Sequence, residues 1–169
     1  MRFNYLILSS FLLIFTHTGQ SQTYKVSFND TAFITAILQQ HNTYRNELKL
    51  PELSWSSSLS EDALAWAKHL AKIGDGQHDR SIVGKEGENL WWGSTGQFSY
   101  ATMVSYWGNE KASFHYDVFP NCGKGVGHYT QMVWKNTHSV GCALASNGET
   151  DFLVCRYSSP GNVIGEKPY

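Results

Sequence analysis

The sequence predicts a mixed α+β domain in which helices pack on a small antiparallel sheet. Three segments with helical apolar periodicity occupy the first two thirds of the chain, and a hairpin pattern follows near its end. In addition, 41% of the residues are hydrophobic and no low-complexity tract interrupts them, which is enough apolar material for one core. We therefore expect one domain over residues 22–169.

The first two helices are predicted from apolar residues that recur every three or four positions. The first ends before Pro51, and its apolar face contains Phe33, Ile37, His41, Tyr44 and Leu48. The second is predicted to open with Ser58 and Glu61, which form a capping-box pattern. Its stripe contains Leu59, Ala63, Trp66 and Leu70. A histidine on such a face is usually a hydrogen-bonded core residue, so we interpret His41 as structural.

The third helix is predicted from about Phe98 to Phe114, with Met103, Trp107 and Glu110 aligned on one side. Glu110 therefore occupies an apolar stripe. A carboxylate there must find a hydrogen-bond partner, a cation or water, or else lose its charge. The alternative is that Glu110 lies at the edge of the stripe and reaches solvent, and the sequence leaves both readings open.

The predicted hairpin carries two of the three cysteines, Cys142 and Cys155, on either side of an Asn147-Gly148 turn signal. A four-residue loop over 147–150 would set the cysteines directly opposite each other, whereas a two-residue loop would leave them diagonal. We predict the longer loop and a Cys142–Cys155 disulfide. Cys122 is then unpaired, which allows either a monomer or a Cys122-linked dimer.

Residues 1–21 have the pattern of a secretory signal peptide. Arg2 supplies the positive start, an apolar run covers 5–15, and Gly19 and Ser21 are the small residues of a cleavage site. The run is too short to span a bilayer, which needs about 20 residues. We expect a secreted, extracellular protein without a transmembrane segment. Asn29 opens an N-glycosylation acceptor, although the same residues also suit a helix N-terminus.

A net charge of −1 and the lack of a basic cluster give no basis for nucleic-acid binding. His-Glu-x-x-His, Gly-x-Ser-x-Gly and phosphate-binding glycine loops are all absent from the sequence. What the chain does carry is a set of imidazoles and carboxylates that can hold a divalent cation or transfer protons. The four are His78, Glu88, Glu110 and His128, with the region around His78 and Glu88 expected to be loop.

Two stretches near the end of the chain resemble the signatures of the CAP superfamily, which comprises cysteine-rich secretory proteins, antigen 5 and pathogenesis-related 1 proteins. Residues 127–134 with 140–143 resemble the first signature, and 152–162 resemble the second. Further phrases match in family order: His41-Asn42-x-Tyr44-Arg45, Leu53-x-Trp55, Ala65-Trp66-Ala67, Gly87-Glu88-Asn89-Leu90 and Trp107-x-Asn109-Glu110-Lys111.

The resemblance implies a three-layer α-β-α sandwich and a secreted domain supported by disulfides. It also implies a central cleft lined by His78, Glu88, Glu110 and His128, although the phrase around His78 departs from the family pattern. In such a cleft the histidines would bind Zn²⁺, or alternatively Ca²⁺ or Mg²⁺ would bind, with the glutamates holding waters or orienting the rings.

The resemblance also indicates function, chiefly a non-enzymatic role in defence or host interaction, through an extracellular receptor, or in carrying a sterol or fatty acid. The residues at the lipid-binding loop of some relatives are Phe114, Tyr116 and Phe119, whose alternative role is ordinary packing. The remaining alternative is a metal-dependent, protease-like hydrolase that uses the His/Glu set.

Overall fold

A three-layer arrangement of helices around one sheet defines the fold of residues 25–169, the part of the chain that the computed structural model describes. Helix α2 (Ser57–Ile73) covers one face of the sheet, and α1 (Thr31–Glu47), α3 (Tyr100–Gly108) and α4 (Gly127–Met132) cover the other. The α-β-α sandwich is thereby confirmed. The proposed signal peptide, residues 1–21, lies outside the described residues.

The sheet has five strands, with the long hairpin at its centre. These strands are β1 (Lys25–Ser27), β2 (Ser54–Trp55), β3 (Gly87–Ser94), β4 (Ser139–Ser146) and β5 (Thr150–Ser158). Their order is β1-β4-β5-β3, all antiparallel, and the short β2 adds to β4 in parallel. Both faces of the hairpin are buried because each is covered by a helical layer.

The hairpin confirms the predicted register and the predicted disulfide. Ser146 pairs with Asp151, which leaves four residues in the loop and sets Cys142 opposite Cys155, and the two are bonded. Cys122 is a free cysteine, fully buried, and its thiol donates to the Asp117 carbonyl at 3.1 Å. A disulfide from Cys122 to a second chain would therefore require this loop to open.

The first two helices agree with their periodicity, with one correction at a cap. Helix α1 buries Phe33, Ile37 and His41, and Asp30 caps it by accepting from the Ala32 amide at 3.1 Å. The N-cap of α2 lies two residues before the predicted one, since Ser56 rather than Ser58 caps the helix and accepts from the Leu59 amide. The Ser58 hydroxyl instead bonds the Ser56 hydroxyl at 3.0 Å.

The prediction of one long helix from Phe98 to Phe114 is wrong. Ser99 caps α3 through the Thr102 amide, and α3 ends at Gly108, where a tighter 3₁₀ turn, Asn109–Ser113, carries Glu110. A side chain at Gly108 would collide with the Tyr44 ring of α1, so α3 and α1 pack closely at this point. The expectation that Glu88 lies on a loop is also wrong, because it belongs to β3 and pairs with Arg156.

Helix α1 is tied to the segment around α4 by Arg45, which is fully buried. Its guanidinium donates to the carbonyl oxygens of Pro51 at 2.7 Å, Met132 at 3.0 Å, Trp134 at 3.0 Å and Thr137 at 3.1 Å. Burial lowers the pKa of Arg45 to about 10, so the side chain stays charged at neutral pH.

Candidate functional site

One half of the cleft is built by the Glu110–His128 pair. A Glu110 carboxylate oxygen accepts from Nδ1 of His128 at 2.5 Å. The other oxygen accepts from the backbone amides of His128 at 2.9 Å and Tyr129 at 3.0 Å, in the first turn of α4. Glu110 thus finds hydrogen-bond partners, as one of its two sequence readings required. The His128 ring also stacks on Trp107, with centroids 6.1 Å apart.

The other half is built by His78 and Glu88. Nδ1 of His78 lies 2.7 Å from Oε1 of Glu88, which also accepts from the Asp79 amide at 3.0 Å. His78 comes from the loop after α2 and its side chain is 61% exposed, whereas the Glu88 side chain on β3 is only 4% exposed. The strand therefore holds the carboxylate in place and the carboxylate orients the exposed ring.

Behind Glu88 lies Arg156, an almost fully buried residue that the sequence reasoning missed. Its Nε is 3.0 Å from Oε2 of Glu88, within ion-pair distance but without hydrogen-bond alignment. The other guanidinium nitrogens bond Asp79 at 3.0 Å and Glu86 at 3.2 Å. Burial by itself would raise the pKa of Asp79, but hydrogen bonds from Ser81 and Arg156 lower it overall. One cation thus offsets three carboxylates.

The two halves face one cleft of about 340 Å³, lined by both histidines and both glutamates. Asn162, from the segment after β5, lines it too and fastens that segment to α4. Its amide donates to the Gly127 carbonyl at 2.8 Å and its carbonyl accepts from the Thr130 hydroxyl at 2.6 Å. The structure therefore brings together all four residues that the sequence singled out.

The hydrogen bonds determine which ring nitrogens are open for chemistry. A carboxylate only accepts, so Nδ1 of each neutral histidine carries the proton and Nε2 keeps its lone pair. Carboxylate–imidazole pairs of this kind orient histidine ligands for metals. Within residues 25–169, no three or more His, Cys, Asp or Glu side chains group as a ready-made metal site. The residues thus offer two imidazole ligands, with further positions left to water or a ligand.

The three aromatic residues proposed for lipid binding lie together in the loop before α4, and they pack on the end of the chain. Phe114 meets Tyr129 edge to face at 5.2 Å, and the Tyr116 hydroxyl donates to the Tyr169 carbonyl. Phe119 exchanges backbone hydrogen bonds of 2.8 Å with Glu166 and Gly165. Ordinary packing thus accounts for much of this loop, and the lipid-binding role stays a prediction.

The structure also shows the surroundings of His41 and of two neighbouring tryptophans, Trp91 and Trp92. His41 is a satisfied core residue, with Nδ1 bonded to the Ile37 carbonyl and Nε2 to the Tyr157 hydroxyl, both at 2.8 Å. Burial lowers its pKa to about 4, so it is neutral at physiological pH. Trp91 belongs to the core, whereas Trp92 is 52% exposed and lines a depression beside Glu110 and His128.

Glycosylation at Asn29 stays a prediction, although the residue is exposed just ahead of α1. No helix among the described residues is long and apolar enough to cross a membrane.

A sandwich of this topology with paired histidines and glutamates in its cleft defines a CAP-type domain. The family model described as the cysteine-rich secretory protein family, CAP, matches residues 38–157. The chain belongs to this family.

Its relatives include pathogenesis-related proteins of plants. Pathogenesis-related protein 1C of Nicotiana tabacum is 35% identical over 160 residues, which cover 93% of this chain and 88% of the relative. Pathogenesis-related protein PR-1 of Medicago truncatula is 34% identical over 177 residues and both chains are covered completely.

The fold also matches solved structures of BmVAL-1 and of NaASP2 with Zn²⁺. BmVAL-1 has a TM-score of 0.71 and 24% identity, with 83% of this chain and 82% of that one covered. NaASP2 has a TM-score of 0.68 and 21% identity, with 83% and 86% covered.

Proposed function

We propose that this chain is a secreted, non-enzymatic CAP protein of the defence or host-interaction type whose cleft binds a divalent cation. The observation that carries the proposal is the pair of matched His–Glu units facing one cavity, each with Nδ1 engaged and Nε2 open. Defence is supported by the pathogenesis-related relatives, and secretion by the signal-peptide pattern of residues 1–21.

The donor set favours zinc over the harder cations. Ca²⁺ and Mg²⁺ prefer oxygen ligands, and Ca²⁺ needs six to eight of them. The carboxylates of Glu88 and Glu110 are already engaged with backbone amides, imidazole or Arg156. Two imidazoles with open Nε2 atoms suit Zn²⁺, whose remaining positions water would complete. The NaASP2 structure, described with Zn²⁺, supports the same choice.

The test is a calorimetric titration of Zn²⁺ into the chelator-stripped full chain, produced in a secretory host. We expect saturable binding at neutral pH that disappears in the double variant His78→Ala/His128→Ala. The matched control is His69→Ala/His138→Ala, which removes two exposed histidines outside the cleft. Equal binding by both double variants, or no binding by the folded wild type, would refute the cation site.

The glutamates give a second, graded test. Glu88→Gln and Glu110→Gln should each weaken Zn²⁺ binding by about 10–100-fold, because each replaces the charged carboxylate that orients a ligand with a neutral amide. Acidification should weaken binding in every variant that retains it, since protonated imidazole cannot ligate a metal.

The alternative, a metal-dependent hydrolase, needs a carboxylate that is free to act on water. Both glutamates already orient histidines, so the contacts favour binding over catalysis. Hydrolysis of a fluorogenic peptide by the Zn²⁺-loaded protein that is lost in Glu88→Gln and Glu110→Gln would establish the enzyme instead.

Sterol or fatty-acid carriage stays a separate prediction. It requires Phe119→Ala to lose ligand while both glutamate variants retain it.

A further inference from the structure

A second cavity, of about 320 Å³, lies where α3 begins above the sheet. It shares no lining residue with the His/Glu cleft. Residues from four separate parts of the chain line it, namely β1, the segment that leads into α3 together with the start of that helix, β4, and the start of β5. None of them takes part in the proposed cation site.

The cavity is lined by a buried carboxylate that is only partly satisfied. Asp151 is 5% exposed, and its Oδ2 accepts from the Gly96 amide at 3.0 Å. Its Oδ1 is buried without a hydrogen-bond partner among the residues that the structure describes. Leaving a buried acceptor unpaired is unfavourable, and more so when the group is charged. The free oxygen therefore calls for a donor that the described chain does not provide.

The sheet register holds this carboxylate in place. Asp151 pairs with Ser146 on one side and Gly93 on the other, so it lies within the sheet, next to the hairpin loop. Side chains alternate along a strand, and Leu153 and Cys155 belong to the core beneath α1 and α3. Asp151 therefore points to that same layer, towards α3.

The other lining residues are largely apolar, and their aromatic rings are held in place by neighbouring side chains. Phe98, Tyr100, Met103 and Leu144 contribute two aromatic rings, a thioether and an isobutyl group. Phe98 packs edge to face on Trp91 at 5.1 Å, and Tyr100 on Phe33 at 4.8 Å. Rings held in this way provide both apolar contact and cation–π attraction for a ligand.

From this combination we propose that the cavity binds a small organic amine, a primary ammonium on an apolar body of about one ring. The ammonium would pair with the Asp151 carboxylate at the cavity wall, and the body would lie against Phe98 and Tyr100. A hydrated metal ion suits the site poorly, because one carboxylate is far short of the oxygen ligands that it needs. A neutral apolar molecule suits it poorly as well, because the buried Asp151 carboxylate would remain without a positive partner.

The test uses phenethylamine as the probe, titrated calorimetrically into the full chain, with 2-phenylethanol as the matched control that lacks the ammonium. We expect saturable binding of the amine and at least about tenfold weaker binding of the alcohol. Asp151→Asn, which keeps an acceptor for Gly96, should lose at least about tenfold in amine affinity. Equal affinity of amine and alcohol, unchanged affinity in Asp151→Asn, or no binding to the wild type would overturn the proposal.

Two further variants separate the proposal from its alternatives. Ser27→Phe adds bulk at the cavity but leaves Asp151 intact, so it should abolish amine binding without the loss of a charge. The backbone of Lys25 pairs with Ser146, so β4 lies between Lys25 and Asp151. Lys25→Gln therefore tests whether this lysine serves as the partner of Asp151. Binding that occurs only in Lys25→Gln would mean that the chain's own lysine serves Asp151, and it would overturn the proposal.

Discussion

The two halves of the cleft present the same pair of side chains on different supports. Glu88 is backed by the buried guanidinium of Arg156, which also bonds Asp79 and Glu86. Glu110 has no such cation among its hydrogen-bond partners and is held by two backbone amides in the first turn of α4. One glutamate is thus positioned by charge and the other by main chain.

The difference shows that a carboxylate–imidazole unit does not depend on one kind of environment. Amide donors at a helix start stabilise an anion without adding a charged side chain. A buried cation among several carboxylates also stabilises them, but removing it leaves the negative charge of every carboxylate uncompensated. The Arg156 half should therefore be the more fragile of the two when a single residue is changed.

The largest expected effect is the loss of Arg156. Arg156→Met leaves three carboxylates without their cation and should lower the free energy of unfolding by about 3–5 kcal/mol, measured by urea denaturation. The free energy of unfolding of Arg156→Lys should lie between those of the wild type and Arg156→Met, since lysine keeps the charge but lacks the planar guanidinium. The control Arg80→Met changes an exposed arginine and should stay within about 0.5 kcal/mol. A loss below about 1 kcal/mol in Arg156→Met would mean that the carboxylates are not dependent on it.

Double-mutant cycles would compare the halves directly. Glu88→Gln combined with Arg156→Met should cost less than the sum of the single changes, with a coupling of about 0.5–3 kcal/mol, because removing one carboxylate relieves the repulsion. Glu110→Gln combined with Arg156→Met should be additive to within about 0.5 kcal/mol. Similar coupling in both cycles would show that the two supports are not independent.

Replacing either histidine should lower the free energy of unfolding less than replacing Arg156. His128→Ala removes a ring that stacks on Trp107 and bonds Glu110, so we expect a loss of about 1 kcal/mol in the free energy of unfolding. His78→Ala removes a ring that is 61% exposed and should stay within about 0.5 kcal/mol, like the control His138→Ala. The reverse order would contradict the comparison.

The smallest expected effect is an acid response of the Arg156 half. The folded-state pKa of Asp79 is below its usual 3.8, so its stabilising contribution is complete above that value and is lost as the pH falls through the folded pKa. Urea midpoints measured from about pH 5 to about pH 2 should therefore decline less steeply in Asp79→Asn than in the wild type. Parallel curves for the two proteins would argue against this role of Asp79.

The sequence predicted the elements whose signals are local. The periodicity of Phe33, Ile37 and His41 gave α1, and the spacing of Cys142 and Cys155 around a turn gave the register of the hairpin. The family motifs gave the four cleft residues. The sequence could not predict which histidine pairs with which glutamate. The pairing depends on where β3 lies beside β5 and on where α4 meets the 3₁₀ turn.

The errors have physical causes too. The glycines before β3 suggested a loop and hid the strand that carries Glu88. α3 ends at Gly108, where the Tyr44 ring of another helix packs against its backbone, and this long-range contact is not visible in the local sequence. Arg156 was detectable in principle, since a lone arginine between Cys155 and Tyr157 interrupts an apolar strand. A charge in such a run needs partners, and the sequence does not say which.

Arg45 illustrates how narrow the choice of residue can be at a position far from any cleft. Four of its five N–H groups are used on four carbonyl oxygens. Lysine offers three N–H groups, and the neutral side chains offer two at most, so no replacement supplies a side-chain donor to all four of these oxygens. By donor count alone, arginine is the only one of the twenty residues that can serve all four.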